Sequence, residues 1–303
     1  MDTPLEAPAL VPPARPRVSK AALVAAAAIA VLAVVEASVA LVAPSRAPKD
    51  ADWEAAAQAV RAGFAPGDLI VAAPAWADPI MRVHLGDLVA VEMAARFDDA
   101  RFGRVWEIGQ RGAHAPEARG TVALEQRFGA LTLRRVERPA AKIAYDFQAN
   151  WTNARVVRAA QGRPDVPCPW SGDRFQCPDI GFNFVHLQTV EVDFTLHRAL
   201  LVQPVGGAEV VVEYAEVPLG RELVIATGIH DVWARKAGTG AVETRVTIAG
   251  TPAAAITTRN ESGWQVTRVD TSKYDGRTVP VRFVVTSPAP FQRQFALAAE
   301  ARR

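Results

Sequence analysis

The spacing of hydrophobic and polar positions changes character several times along the chain. From Ala21 to Ala43 the string AALVAAAAIAVLAVVEASVALVA is apolar on every side, 23 residues with Glu36 as their one charge. A helix of that length crosses roughly 30 Å of bilayer hydrocarbon. Residues 50–64 switch to a helical period, with Trp53, Ala56, Ala57, Val60 and Phe64 on one face behind an Asp52 N-cap. PGDLIVAAP (66–74) is a turn followed by a strand apolar on both faces. Asp78-Pro79 opens a helix carrying the apolar positions from Ile80 to Ala95, interrupted at Gly86. Val105–Ile108 read as a second strand, and Ala115–Phe128, with Pro116 near the start and Gly129 after the end, as a third helix. LTLRRVER (131–138) reads as a third strand. Helix and strand alternating in this way predict a small three-layer α/β domain with a mainly parallel sheet over 51–140.

From Val190 onward the period is two. Val190, Val192, Phe194 and Leu196 alternate with Glu191, Asp193, Thr195 and His197; Val242 to Ile248 and Val279 to Val285 repeat the pattern between Gly, Pro and Asp turns. Such strands predict an all-β second domain, a β-sandwich over 188–303. Residues 141–187 show neither period and read as a connector.

Charge and cysteine usage place these parts. Residues 1–20, with five prolines and Arg15, Arg17 and Lys20, are expected to be a disordered cytoplasmic tail. The segment 21–43 then reads as a single membrane helix of a bacterial-type inner membrane, followed by a Pro and Lys linker (44–50), with residues 44–303 on the exported, periplasmic side. The same order of basic, apolar and Ser38-Val39-Ala40 segments also fits a signal peptide cleaved at that point. Lys plus Arg number 34 against 32 Asp plus Glu, and residues 1–43 carry three of each sign, so the exported part keeps a balance of +2. That is no field for nucleic acid. In an oxidising space Cys168 and Cys177, in PCPWSGDRFQCPD, are expected to form a disulfide, with a free or metal-bound pair as the alternative.

The chain carries no phosphate-binding loop, dinucleotide glycine fingerprint, G-x-S-x-G elbow or H-E-x-x-H pair. Its five histidines are scattered, without partners at metal-ligand spacing, so neither a metal site nor a cofactor is expected. Two groups of residues remain as candidates. Trp233 beside His230 and Asp231, with Trp264 in a Ser-Gly-Trp turn, offers aromatic faces with polar neighbours, suited to a sugar ring and equally to a core. Glu107 stands near the carboxyl end of the second strand, where open α/β sheets place ligands; with His114 it forms an alternative α/β site.

WEAAAQAVRAGFAPGDLIVAAPAW, RFGRVWEIG and FGALTLRRVERP, within 51–138, resemble the exported domain of polytopic lipid-phosphate-sugar-dependent glycosyltransferases related to protein mannosyltransferases. Those enzymes build their catalytic site in a many-span membrane core, and this chain offers one span. The resemblance therefore implies an envelope-glycan setting without carrying over any catalytic residue; Asp68 matches a structural turn. GRELVIATGIHD, VTIAG, GWQVTRVDTSKYDGRTVPVRFVVTSP and FALAAEAR, within 188–301, resemble a galactose-binding-like jelly-roll. Fold alone does not give function. The expected role is a membrane-anchored, non-enzymatic protein binding a glycan or a polytopic envelope protein through its sandwich. The alternative is an enzyme or accessory subunit of envelope glycan assembly, acting at the α/β domain.

Overall fold

The computed structural model describes residues 19–42, 47–178, 181–236, 240–288 and 293–303. The predicted tail, apart from Ser19 and Lys20, and residues 44–46 of the predicted linker lie outside them. The chain divides into two units, Met1–Lys49 and Asp50–Arg303. In the first, Lys20–Val42 (α1) is one continuous helix of 23 residues, none of them buried, which excludes the role of a packed core helix. It meets the length and composition of a membrane span, as a signal segment also does.

The second unit opens with α2 (Asp50–Gly63), whose buried residues, Trp53, Ala56, Ala57 and Val60, are those its period marks. A four-stranded sheet follows in the order β1-β2-β4-β3, built from β1 (Leu69–Ala73), β2 (Arg104–Gln110), β3 (Thr121–Phe128) and β4 (Leu131–Glu137). Only β1 and β2 are parallel; β2–β4 and β3–β4 are antiparallel. The predicted mainly parallel sheet is therefore replaced by a mixed one, because the helix expected over 115–128 is a turn followed by β3. Gly129, at a φ of 55°, opens a two-residue hairpin turn that joins Phe128 to its partner Leu131, instead of capping a helix. The helix expected from Ile80 to Ala95 is two short ones, α3 (Asp78–Leu85) and α4 (Val91–Ala94), parted at Gly86.

Two antiparallel sheets make up the rest. The first runs β15-β12-β17-β10-β9-β8, with β5 also paired to β17; the second runs β14-β13-β16-β11-β6-β7. Residues 141–187, expected to be a connector, instead supply β5 (Ile143–Asp146), β6 (Arg155–Ala159), β7 (Val166–Pro167) and β8 (Phe175–Gln176), so both sheets draw on them. Then come β9 (Phe184–Val192), β10 (Thr195–Val202), β11 (Glu209–Pro218), β12 (Glu222–Ile229), the short α5 (Asp231–Ala234), β13 (Val242–Ile248), β14 (Thr251–Thr258), β15 (Gln265–Asp270), β16 (Thr278–Thr286) and β17 (Phe295–Arg302). Between the sheets Phe147, Tyr214, Leu223, Val246, Phe283 and Phe295 form a continuous apolar core, with the predicted alternation of β13 and β16 turned inward.

The alternation read through Val190–His197 is not one strand. Asp193 and Phe194, both at positive φ, form a two-residue turn between β9 and β10, so Phe194 is left 76% exposed and His197 is buried. Cys168 and Cys177 form the expected disulfide. Closing a loop with a separation of nine residues contributes on the order of 2.7 kcal/mol by constraining the unfolded chain.

Candidate functional site

The two groups singled out in the sequence are largely engaged inside the protein. His230 caps α5, its Nδ1 accepting from the Val232 N–H at 3.3 Å. The buried Asp231 carboxylate accepts the N–H groups of Asp193 at 2.7 Å and Phe194 at 3.0 Å, holding the β9–β10 turn in its left-handed conformation. Trp233 packs at the edge of the main core, with the Lys236 ammonium 3.9 Å from its ring centroid. Trp264 belongs to a different cluster: its Nε1 donates to the Phe97 carbonyl at 3.0 Å, and its ring stacks on His197 with centroids 4.1 Å apart. Burial holds the His197 imidazole below its ordinary range; a hydrogen bond to the Arg96 carbonyl opposes this and the Arg96 charge adds to it. A concavity of about 250 Å³ beside Asp231 is lined by Phe194, Arg235 and Glu261, and by neither tryptophan.

Glu107 and His114 do come together. Glu107 is fully buried and accepts from Arg134 Nη1 at 2.9 Å and the Ala115 N–H at 2.5 Å. His114 Nδ1 lies 3.1 Å from Glu107 and 2.7 Å from Arg134 Nη1. The His114 ring nitrogen thus stands between the carboxylate and the guanidinium, within reach of both. The arrangement clasps the loop after β2 onto β4, with the Glu107 carboxylate committed to protein donors.

A third place is concave and less fully committed. β17 pairs with β10 through Phe295–Leu297 and with β5 through Glu300–Arg302, so the sheet forks. At the fork the Ala299 N–H is taken by the Gln148 side chain at 2.8 Å, and the Ala299 carbonyl accepts from Phe147 at 3.2 Å. Where β17 has left β10, residues 95–97 run alongside instead: the Arg198 N–H donates to the Ala95 carbonyl at 2.8 Å. A cavity of about 300 Å³ opens there, lined by Arg96, Arg101, Asp146, Gln148, Trp151 and Arg198 among others. That is the lower end of the range for small-molecule sites, roughly 300–1,000 Å³.

Its walls are electrostatically structured. Arg101 binds Asp146 at 2.8 Å and also Glu300; Arg302 binds Glu300 at 2.7 Å and Asp98 at 2.9 Å. Arg96 pairs with Glu117. Trp151 joins an aromatic cluster with Trp170, centroids 4.9 Å apart, Phe175 and His186. The disulfide closes the loop that carries Trp170 and Phe175, and Trp170 is 44% exposed.

No family model matches the chain, and no curated protein does. Among solved structures the sandwich is similar to the CBM51-2 and INT domains of Clostridium perfringens ZmpB, at 17% identity over 39% of this chain and 25% of that one, with a TM-score of 0.28. It is also similar to the CBM51 of Clostridium perfringens GH95 in complex with methyl-galactose, at 8% identity over 38% of this chain and 81% of that one, with a TM-score of 0.29. Overlaps this small leave the β-sandwich to be defined by its own two sheets.

Trp151, Gln148 and Arg198 went unnoticed in the sequence. Trp151 and Gln148 fall in the stretch without a period, and Arg198 is one of 29 arginines. No local signal marks any of them.

Proposed function

We propose that this is a single-pass membrane protein of a bacterial-type envelope whose exported body binds a glycan, without chemistry, at the fork between β5 and β10. The observation that carries the reading is the half-buried Trp151, backed by Trp170, beside a cavity that also presents arginine, glutamine and carboxylate groups. The electron-rich face of an indole attracts the polarised C–H face of a pyranose, while polar side chains take its hydroxyls. The fork supports this better than the Asp231 end, where the carboxylate and the Trp264 N–H already serve the fold. The likeness of 51–138 to exported glycosyltransferase domains supports the same envelope-glycan setting. Retention in the inner membrane, with 44–303 outside, rests on α1 and on the disulfide, which belongs to oxidising compartments.

Two measurements test it. The full chain in detergent micelles is expected to bind members of a printed glycan panel, and Trp151→Ala, checked for folding by circular dichroism, to weaken that binding about three- to tenfold; the loss of one stacked ring is worth about 0.5–1.5 kcal/mol. Absence of binding to every glycan, or binding untouched by Trp151→Ala, would overturn the site. In cells, the chain is expected to stay with membranes through alkaline carbonate extraction. Release at a size lacking residues 1–40 would instead establish a cleaved signal.

A further inference from the structure

We propose that the fork cavity is selective for an acidic sugar, one bearing a carboxylate, with Arg198 as its anchor; this rests on the glycan-binding reading above. The argument begins with which charges are already spent. Three arginines line the cavity. Arg96 is paired with Glu117, and Arg101 with both Asp146 and Glu300. Arg198 is half-buried and has no carboxylate partner among the described residues. Its backbone is fixed by the bond to Ala95, and its cross-strand neighbour on β9 is Thr189, which offers no charge. A guanidinium removed in part from water gains most from a planar carboxylate that accepts two parallel N–H bonds.

The remaining walls narrow the ligand. Asp146 has its second oxygen engaged by the Gln148 and Ala149 N–H groups, at 2.9 and 3.0 Å, so it neither neutralises Arg198 nor welcomes an anion close by. Glu92 stands exposed at the rim. With Asp146 spent on Arg101 and Glu92 exposed at the rim, a single unspent cation suits a monoanion and disfavours a phosphate, which carries nearly two charges at neutral pH. Trp151 adds the flat apolar face that a carboxylate on a simple organic acid would leave unused. A uronate or sialate ring presents both features on one small scaffold, at a size the cavity admits.

The test uses the full chain in micelles on a panel of glycans ended by glucuronate, galacturonate or sialate, beside the same glycans with the carboxylate reduced to the alcohol, and 6-phosphorylated sugars. At least one acidic glycan is expected to bind tenfold or more tighter than its reduced counterpart. Arg198→Gln is expected to abolish that preference, and Arg198→Lys to restore part of it, because a lysine returns the charge without the fork of donors. Glycans bound without regard to the carboxylate, a preference for the phosphorylated sugars, or a preference that survives in folded Arg198→Gln would overturn the acidic-sugar assignment while leaving glycan binding in place. No binding to any glycan would overturn both.

Discussion

Glu300→Ala is expected to cost the body about 2–3 kcal/mol, among the largest effects a single side chain here can have. Glu300 is fully buried on β17 and faces two arginines: Arg101, from the loop before β2, and Arg302, on its own strand. Removing the carboxylate leaves Arg302, 4% exposed in its side chain, with Asp98 alone, and Arg101 with Asp146 alone. The loss comes from buried donors left without an acceptor, Arg302 Nε above all, since Asp98 and Asp146 still balance the two guanidiniums; the net worth of the intact network is smaller, because desolvation offsets much of its attraction. Urea unfolding of the full chain, followed by tryptophan fluorescence, reads the change. Glu300→Gln, which keeps shape and loses charge, should fall between wild type and alanine. A double-mutant cycle with Arg302→Met should give a coupling above 1 kcal/mol, since the residues share one network. A loss below 1 kcal/mol for Glu300→Ala would mean that water reaches the network. The same substitution should weaken glycan binding, because Arg101 is a wall of the fork cavity.

The sequence was legible where burial writes a period into it. α2 buries the residues its spacing marks, and β13 and β16 turn inward the valines and the phenylalanine that alternate. It was misleading where no core enforces a period. β3 is an edge strand exposed along most of its length, so Glu125, Gln126 and Arg127 follow no alternation, and Pro116 and Gly129 imitate helix ends. At Val190–His197 two strands meet in a turn of Asp and Phe, residues that carry no glycine signal; Asp231, distant in sequence, holds them there. The fork was out of reach for a related reason. It exists because β17 changes partner between β10 and β5, and β5 lies about 150 residues upstream, as the Gln148–Ala299 bond records. Whether Arg198 is paired is likewise a fact about its neighbours in space. The candidates that were legible, Asp231 and Trp264, are polar and aromatic groups the fold uses to hold its own turns and seams.

Asp68→Ala is expected to destabilise the body by about 3 kcal/mol, and to do so in a pH-dependent way. From the sequence Asp68 is a turn residue in Pro-Gly-Asp; in the structure it is 4% exposed and gathers four donors. Arg104 reaches it at 2.8 and 2.6 Å, Trp106 Nε1 at 2.9 Å and the Ala65 N–H at 3.0 Å. Trp106 is almost fully buried, so losing its acceptor strands an indole N–H at a cost of about 1–3 kcal/mol. Arg104 is about a third exposed, so water replaces part of what it loses and the sum stays modest. Burial alone would raise the Asp68 carboxyl, but the Arg104, Ala65 and Trp106 donors and the Arg104 charge outweigh it and hold the group below the usual range. A carboxyl lowered in the folded state stabilises fully above its unfolded value, about 3.9, and that contribution disappears as pH falls through the lower folded value. The wild type should therefore lose stability below about pH 4 along a limb that Asp68→Ala flattens, the two unfolding curves converging in acid. Urea midpoints measured from pH 7 down to pH 2.5 decide it: a constant gap between the two proteins across that range would show that Asp68 acts by shape, with its charge playing no part.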